Sequence, residues 1–158
     1  MVLETRLISL LAILVCASCN ASNDIGDITD KAVVSGHKLM LVDSNNSCNL
    51  HIEYKNKKHT YPLLPKAPCY FLRRGNEVPQ SVAYEDVQVL NALTVIGSPI
   101  SQDKRKKWNI DSDMVCGELA QGVLIKNTGL EITSKTLEGG VFCRDTGSDE
   151  KNFWYLAH

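Results

Sequence analysis

The sequence predicts a mainly β protein: a single antiparallel β-sandwich or barrel, braced by disulfides, with a short C-terminal helix. Residues 48–55 alternate apolar and polar side chains without a break, which is typical of a strand with one buried face. Turn-forming stretches separate apolar runs at fairly regular intervals from residue 36 onward, giving about seven or eight short strands. Beyond residue 19 the chain holds an even number of cysteines, which favours disulfide pairing.

The sequence also indicates where some of the strands lie in the sheet. Pro62 indicates an edge strand, because proline has no N–H to donate to a neighbour. Residues 87–96 are apolar on both faces and predict a central strand, although a helix over 84–93 is an alternative. The stretch Asn-Thr-Gly at 127–129 predicts a hairpin. The strands that we expect, in chain order, are 36–43, 48–54, 59–64, 69–72, 87–96, 118–126, 130–135 and 139–143.

The last ten residues have the pattern of a short amphipathic helix. Ser148 is a suitable N-cap residue and is followed by two acids, which favour the positive end of the helix dipole. The helix should pack on the sheet through one apolar face. That face carries Phe153, Leu156 and Ala157.

The N-terminus has the order of a secretory signal: a short charged segment, an apolar run at 7–15, and then small residues. The run is about half of the ~20 apolar residues that a membrane-spanning helix requires. Its end, Ala17-Ser18-Cys19, resembles the small-residue pair and cysteine of a bacterial lipoprotein export signal, and this resemblance is confined to residues 1–19. Ordinary cleavage after Cys19 or Ala21 is the alternative.

The lipoprotein resemblance implies how the chain is divided and where it resides. Residues 1–18 would be removed as the signal, and Cys19 would carry the lipid. We expect a flexible polar tether at 19–32 and one β-rich domain at 33–158. Because Asn20, rather than Asp, follows Cys19, the resemblance implies an outer-membrane lipoprotein facing the periplasm, with a freely secreted protein as the alternative.

The remaining cysteines are expected to form two disulfides in an oxidising compartment. Three pairings are possible. We favour the local one, because each of its pairs brackets one predicted hairpin. Its bonds are Cys48–Cys69 and Cys116–Cys143.

Motif searches point to no particular reaction. The chain lacks the motifs of zinc proteases, serine hydrolases and nucleotide-binding loops, and we expect no metal and no cofactor. His51 and His59 lie near one predicted turn, yet no acid or cysteine is fixed beside them by sequence, so we interpret them as exposed. A net charge of −1 argues against nucleic acid as a partner.

Two basic stretches are the candidate binding residues. Residues 101–113 form a long polar connection, and residues 55–58 form a lysine-rich turn. Tryptophan and arginine are enriched among binding hot spots, and loops on a rigid scaffold often carry binding sites. The candidate partner-binding residues are Lys104, Arg105, Lys106, Lys107, Trp108, Lys57 and Lys58.

Together these observations favour a protein that binds another protein and catalyses nothing. The function that we expect is an inhibitor or immunity protein that neutralises a secreted or periplasmic enzyme or toxin. Two alternatives stay open: a structural or accessory envelope lipoprotein, and a small hydrolase whose residues converge from distant segments.

Overall fold

The structure is a computed structural model, and it describes residues 26–158. The export signal and the expected lipidation site, Cys19, therefore lie outside the described residues. No helix within the described part of the chain is long and apolar enough to cross a membrane.

The first half of the described chain forms a four-stranded antiparallel sheet, here sheet A, with its strands in sequence order. Each strand is joined to the next by a turn of two residues, and those residues have positive φ, as at Lys55 (48°) and Asn56 (64°). Such turns match the twist of the flanking strands. The strands are β1 (Asp27–Val34), β2 (His37–Ser44), β3 (Ser47–Tyr54) and β4 (Lys57–Lys66).

The second half forms a six-stranded antiparallel sheet, here sheet B. Its strands are β5 (Tyr70–Phe71), β6 (Val82–Tyr84), β7 (Val89–Pro99), β8 (Cys116–Lys126), β9 (Gly129–Leu137) and β10 (Phe142–Cys143). Strands β7 and β8 are the long central pair, flanked by β5 and β6 on one side and by β9 and β10 on the other. Helix α1 (Gln102–Lys107) connects β7 to β8, and helix α2 (Glu150–Ala157) ends the chain.

Sheet B is buried on both faces. One face packs on sheet A through a core of aliphatic side chains that both sheets supply: Leu39, Leu41, Leu50, Ile52, Leu93, Val95, Val123 and Ile125. The opposite face carries a second core, which α2 covers with Phe153 and Leu156. Strand β7 lies between sheet A and α2, which explains why residues 87–96 are apolar on both faces.

The fold class that the sequence predicts is confirmed: a mainly β protein with two antiparallel sheets in a sandwich-like arrangement, a short C-terminal helix and two disulfides. The disulfides are Cys48–Cys69 and Cys116–Cys143, the local pairing. Strand β4, which contains Pro62, lies at the edge of sheet A, as the proline indicates. Residues 127–128 form the turn of the β8–β9 hairpin.

Several expected boundaries are wrong. Residues 27–32, which we assigned to a flexible tether, belong to β1, and β6 (Val82–Tyr84) was not expected either. The described chain therefore contains ten strands and not seven or eight. The alternative helix over 84–93 is reduced to one short turn, Glu85–Val87, before β7 begins. The N-cap of α2 is Asp149, whose carboxylate accepts from the N–H of Lys151 at 3.0 Å, and not Ser148.

Candidate functional site

The basic stretch 101–113 is more ordered than the expected polar loop. Ser101 caps its first turn, since the Ser101 hydroxyl accepts a hydrogen bond from the N–H of Lys104 at 3.3 Å. Lysines and one arginine then occupy the last turn of α1, where positive charge favours the negative end of the helix dipole. The candidate residues Lys104 to Lys107 therefore lie on a short helix, and Trp108 is its C-cap.

Two of these candidate residues hold the helix in place. The ammonium of Lys104 lies 2.8 Å from a carboxylate oxygen of Glu118 on β8. The guanidinium of Arg105 donates to the backbone carbonyls of Asp111 and Met114, at 2.7 and 2.8 Å. These contacts join α1 to the segment that leads into β8, next to the disulfide that begins at Cys116.

The other three candidate residues on α1 face solvent. Lys106 and Lys107 are exposed and make no ion pair within the described residues, and the Trp108 side chain is 50% exposed. We call Lys106, Lys107 and Trp108 the α1 surface. It combines one large aromatic side chain with two cations on a backbone that Ser101, Lys104 and Arg105 hold.

The second basic stretch is not a continuous turn. Only Lys55 and Asn56 form the turn, and the two candidate residues Lys57 and Lys58 are the first residues of β4. Successive side chains of a strand point to opposite faces. Lys57 pairs with Tyr54 on the face toward sheet B, while Lys58 pairs with Glu53 on the outer face.

The structure separates the two basic stretches. Strand β7 begins at Val89, opposite Lys126, and ends at Pro99, opposite Gly117, so it runs from one end of the sandwich to the other. Lys57 lies at the end near Lys126, and α1 follows the far end of β7. Ten residue steps of about 3.3 Å put the two ends about 30 Å apart, so one small binding site cannot include both stretches.

A cavity of about 520 Å³ opens between the two sheets at the end where Lys57 lies. We call it the end cavity. Its wall on sheet A includes Lys55, Lys57 and His59, and its wall on sheet B includes Lys126 and Leu130. None of the residues that the structure describes along this cavity is acidic. Sequence reasoning missed the cavity, because its walls come from six strands of the two sheets, whose registers are set only in the folded protein.

His51 and His59, the two histidines near one predicted turn, lie on opposite faces of sheet A. His59 pairs with Ile52 in the sheet register and lines the end cavity, whereas His51 pairs with Thr60 and lies on the outer face of sheet A. A pocket holding both histidines with acids, which would have favoured a hydrolase, is therefore not found in residues 26–158. Nor do these residues contain a cluster of three or more side chains suited to a metal ion.

A third group of polar contacts lies at the end of α2. The Nε2 atom of His158 is 2.8 Å from a carboxylate oxygen of Asp86, and its Nδ1 atom is 2.9 Å from the carbonyl oxygen of Trp154. The hydrogen bond with Asp86 raises the pKa of His158 and lowers the pKa of Asp86. This group ties α2 to the turn before β7.

Comparison with known proteins adds no further assignment: the chain matches no protein-family model, no curated protein and no solved structure.

Proposed function

We propose that this protein is an exported binding protein that neutralises a secreted or periplasmic enzyme or toxin, with the α1 surface inserting into an acidic cleft of that partner. The observation that carries the proposal is the exposed Trp108 beside Lys106 and Lys107, on a helix fixed to the scaffold. The protein acts by occupying the cleft and catalyses no reaction.

Rigidity is what makes this surface suited to binding. Ordering a mobile loop on association costs about 0.5–1.5 kcal/mol per immobilised side chain. Arg105 and Lys104 already fix the backbone of α1, so that cost is reduced for the residues beside them. Tryptophan is the side chain most characteristic of binding hot spots, where truncation to alanine costs about 2 kcal/mol or more.

The positive charge of the α1 surface indicates that the proposed partner has an acidic surface. Lys106 and Lys107 have no carboxylate partner among the described residues, so their charge is available to an acidic surface. Complementary charge of this kind accelerates association and selects among partners, and its effect weakens as salt increases. An enzyme whose cleft binds a cationic substrate, or whose active site contains several carboxylates, fits this description.

The proposed location follows from the chain's other features. Two disulfides suit an oxidising compartment outside the cytoplasm. We place the protein in the periplasm, held to the outer membrane by a lipid on Cys19. Mass spectrometry of the mature N-terminus tests this: a diacylated Cys19 is expected, whereas a free terminus at Asn20 or Ser22 would contradict the anchor.

The functional experiment measures inhibition of a captured enzyme. The wild-type protein should retain one enzyme from an extract of exported proteins at one-to-one stoichiometry and abolish its activity. The triple variant Lys106→Ser, Lys107→Ser, Trp108→Ala should weaken that inhibition by about 30-fold or more. The control variant Lys55→Ser with Lys57→Ser also removes two positive charges, but at the far end of the sandwich. It should inhibit the enzyme as strongly as the wild type does.

Circular dichroism should show that all variants keep the fold, since the replaced side chains are exposed. Equal inhibition by the wild type and the triple variant would contradict the role of the α1 surface. Retention of several envelope proteins with no loss of any enzyme activity would contradict the inhibitor function as a whole.

A further inference from the structure

We propose that the end cavity binds an amphiphilic anion, a phosphate group attached to a hydrocarbon chain. The proposal rests on the way the cavity divides into a cationic rim and an apolar floor, and it is independent of the inhibitor function.

The rim is cationic on the sheet A side. Lys55 and Lys57 are exposed on the sheet A side, and neither forms an ion pair within residues 26–158. Lys126 of sheet B also borders the cavity, but it follows Ile125, which faces sheet A, so its side chain lies on the opposite face of sheet B, where Glu131 is 2.7 Å from its ammonium. Two unpaired lysines match the double negative charge of a phosphate monoester.

The floor of the cavity is apolar. Ile52 and Ile125 are almost fully buried and line it from the two sheets, and Leu90 and Leu130 extend this lining toward solvent. Leu90 is 44% exposed, which leaves apolar surface for a ligand to cover. The volume of about 520 Å³ falls within the range of roughly 300–1,000 Å³ that is usual for small-molecule pockets.

Contacts within sheet A fix one wall of the cavity. The rings of His37 and Tyr54 stack with their centroids 4.0 Å apart, and the Lys55 ammonium lies 5.0 Å from the centre of the Tyr54 ring. Lys57 is opposite Tyr54 in the strand register. The two unpaired lysines are therefore attached to a wall that aromatic packing holds in place, which lowers the cost of binding.

The first test compares three probes in an NMR titration of the whole mature protein. Octyl phosphate, used below its micelle-forming concentration, should give saturable shifts at the amides of His59, Leu90 and Leu130. Inorganic phosphate lacks the chain and octanol lacks the charge. Each should bind at least about tenfold more weakly, because one buried methylene changes affinity about fourfold and a phosphate gains charge-assisted hydrogen bonds.

The second test uses variants with matched charge. Lys55→Ser with Lys57→Ser should weaken octyl phosphate binding by about tenfold or more. Lys106→Ser with Lys107→Ser makes the same change in net charge at the α1 surface and should alter binding less than about twofold. An equal effect of the two double variants would show general attraction of anions and would overturn the site.

The amphiphilic anion can be a free solute or a membrane lipid, and binding to vesicles distinguishes these two sources. Co-sedimentation with phosphatidylglycerol vesicles, and not with phosphatidylcholine vesicles, would assign the site to an anionic lipid of the bilayer. Binding of octyl phosphate without co-sedimentation would assign it to a free amphiphile. No saturable shift with octyl phosphate and no co-sedimentation would overturn the proposal, whatever the enzyme-inhibition experiment shows.

Discussion

Asp30 and Arg73 form a two-pronged ion pair that joins sheet A to sheet B. The Nη1 and Nη2 atoms of Arg73 lie 2.6 and 2.9 Å from the two carboxylate oxygens of Asp30. The side chain of Arg73 is only 8% exposed, and that of Asp30 is only 12% exposed. The N–H of Phe71 donates to the same carboxylate at 2.8 Å, and Arg73 also donates to the carbonyl of Phe71 at 3.0 Å. Strand β1 is therefore locked to β5, the first strand of the other sheet.

Replacing Asp30 with asparagine should lower the free energy of unfolding by about 3–5 kcal/mol, because it leaves the Arg73 cation buried without a counter-charge. Urea unfolding followed by circular dichroism measures this. The matched control is Asp27→Asn, an exposed acid on the same strand, which should change stability by no more than about 0.5 kcal/mol. Equal effects of the two variants would contradict the structural role of the ion pair.

Each disulfide should contribute about 3–4 kcal/mol to stability in the chain-entropy description, since the bonds close loops of similar length, with separations of 21 and 27 residues. Cys48→Ala with Cys69→Ala, and Cys116→Ala with Cys143→Ala, should therefore have similar urea midpoints, both below that of the wild type. Peptide mapping without reduction checks the pairing itself. A Cys48–Cys116 or Cys48–Cys143 peptide would contradict it.

The pair formed by His158 and Asp86 should make the attachment of α2 depend on pH. Both partners of the His158 ring are acceptors, so both ring nitrogens donate only when the ring is protonated. The pKa of His158 is raised from 6.5, so its contribution is complete below about 6.5 and is lost as pH rises through the raised value. The pKa of Asp86 is lowered from 3.8, so its contribution is complete above about 3.8 and is lost as pH falls through the lowered value.

An NMR titration of the His158 ring measures this directly. Asp86→Asn should lower the pKa of His158 toward its ordinary value, because the main cause of the shift is the hydrogen bond with Asp86. Asp103→Asn, on α1 near the opposite end of β7, should leave the titration unchanged. The Tm difference between the wild type and Asp86→Asn should be largest near pH 5 and should shrink above the raised pKa. A Tm difference that is the same from pH 5 to pH 9 would contradict this linkage.

Gly122 should tolerate no side chain, because it lies where α2 packs closely on sheet B. A Cβ atom at this position would lie 2.5 Å from the Thr133 methyl group and 3.1 Å from the Cβ of Leu156. Gly122→Ala should therefore cost about 1–3 kcal/mol through overpacking. The control is Gly140→Ala, where the nearest atom, on the Phe142 ring, is 3.5 Å away, an ordinary contact. Thermal unfolding of the two variants compares them, and similar Tm values would contradict close packing at Gly122.

The sequence correctly predicted those features of the fold that depend on residues close together in the chain. The alternation over 48–55 identified β3, and Asn56 took the positive φ that its residue type favours. The cysteine pairing was correct because each bond brackets one hairpin, so the two cysteines are brought together by local structure. Ser101 is a good helix-capping residue that we did not use, and it could have revealed α1.

The features that we assigned wrongly from the sequence depend on contacts between residues that are far apart in the chain. The polar residues before position 33 suggested a tether, yet Asp30 is buried by an arginine 43 positions away in the chain. The lysines at 55–58 suggested one basic surface, but the β3–β4 register turns Lys57 toward the end cavity and Lys58 toward the outer face. No local pattern contains this information, because it depends on where the strands end and which face is covered.

The sequence by itself determined the class of fold and the disulfide pairing, and it indicated candidate binding residues, since periodicity, turn chemistry and loop closure act over short stretches of chain. Only the tertiary structure decided which of those residues stay available. It used Lys104 and Arg105 to hold α1, left Trp108 exposed, and placed Lys57 about 30 Å away at the rim of the end cavity. The physical reason is that burial and ion pairing depend on which segments meet across the sandwich.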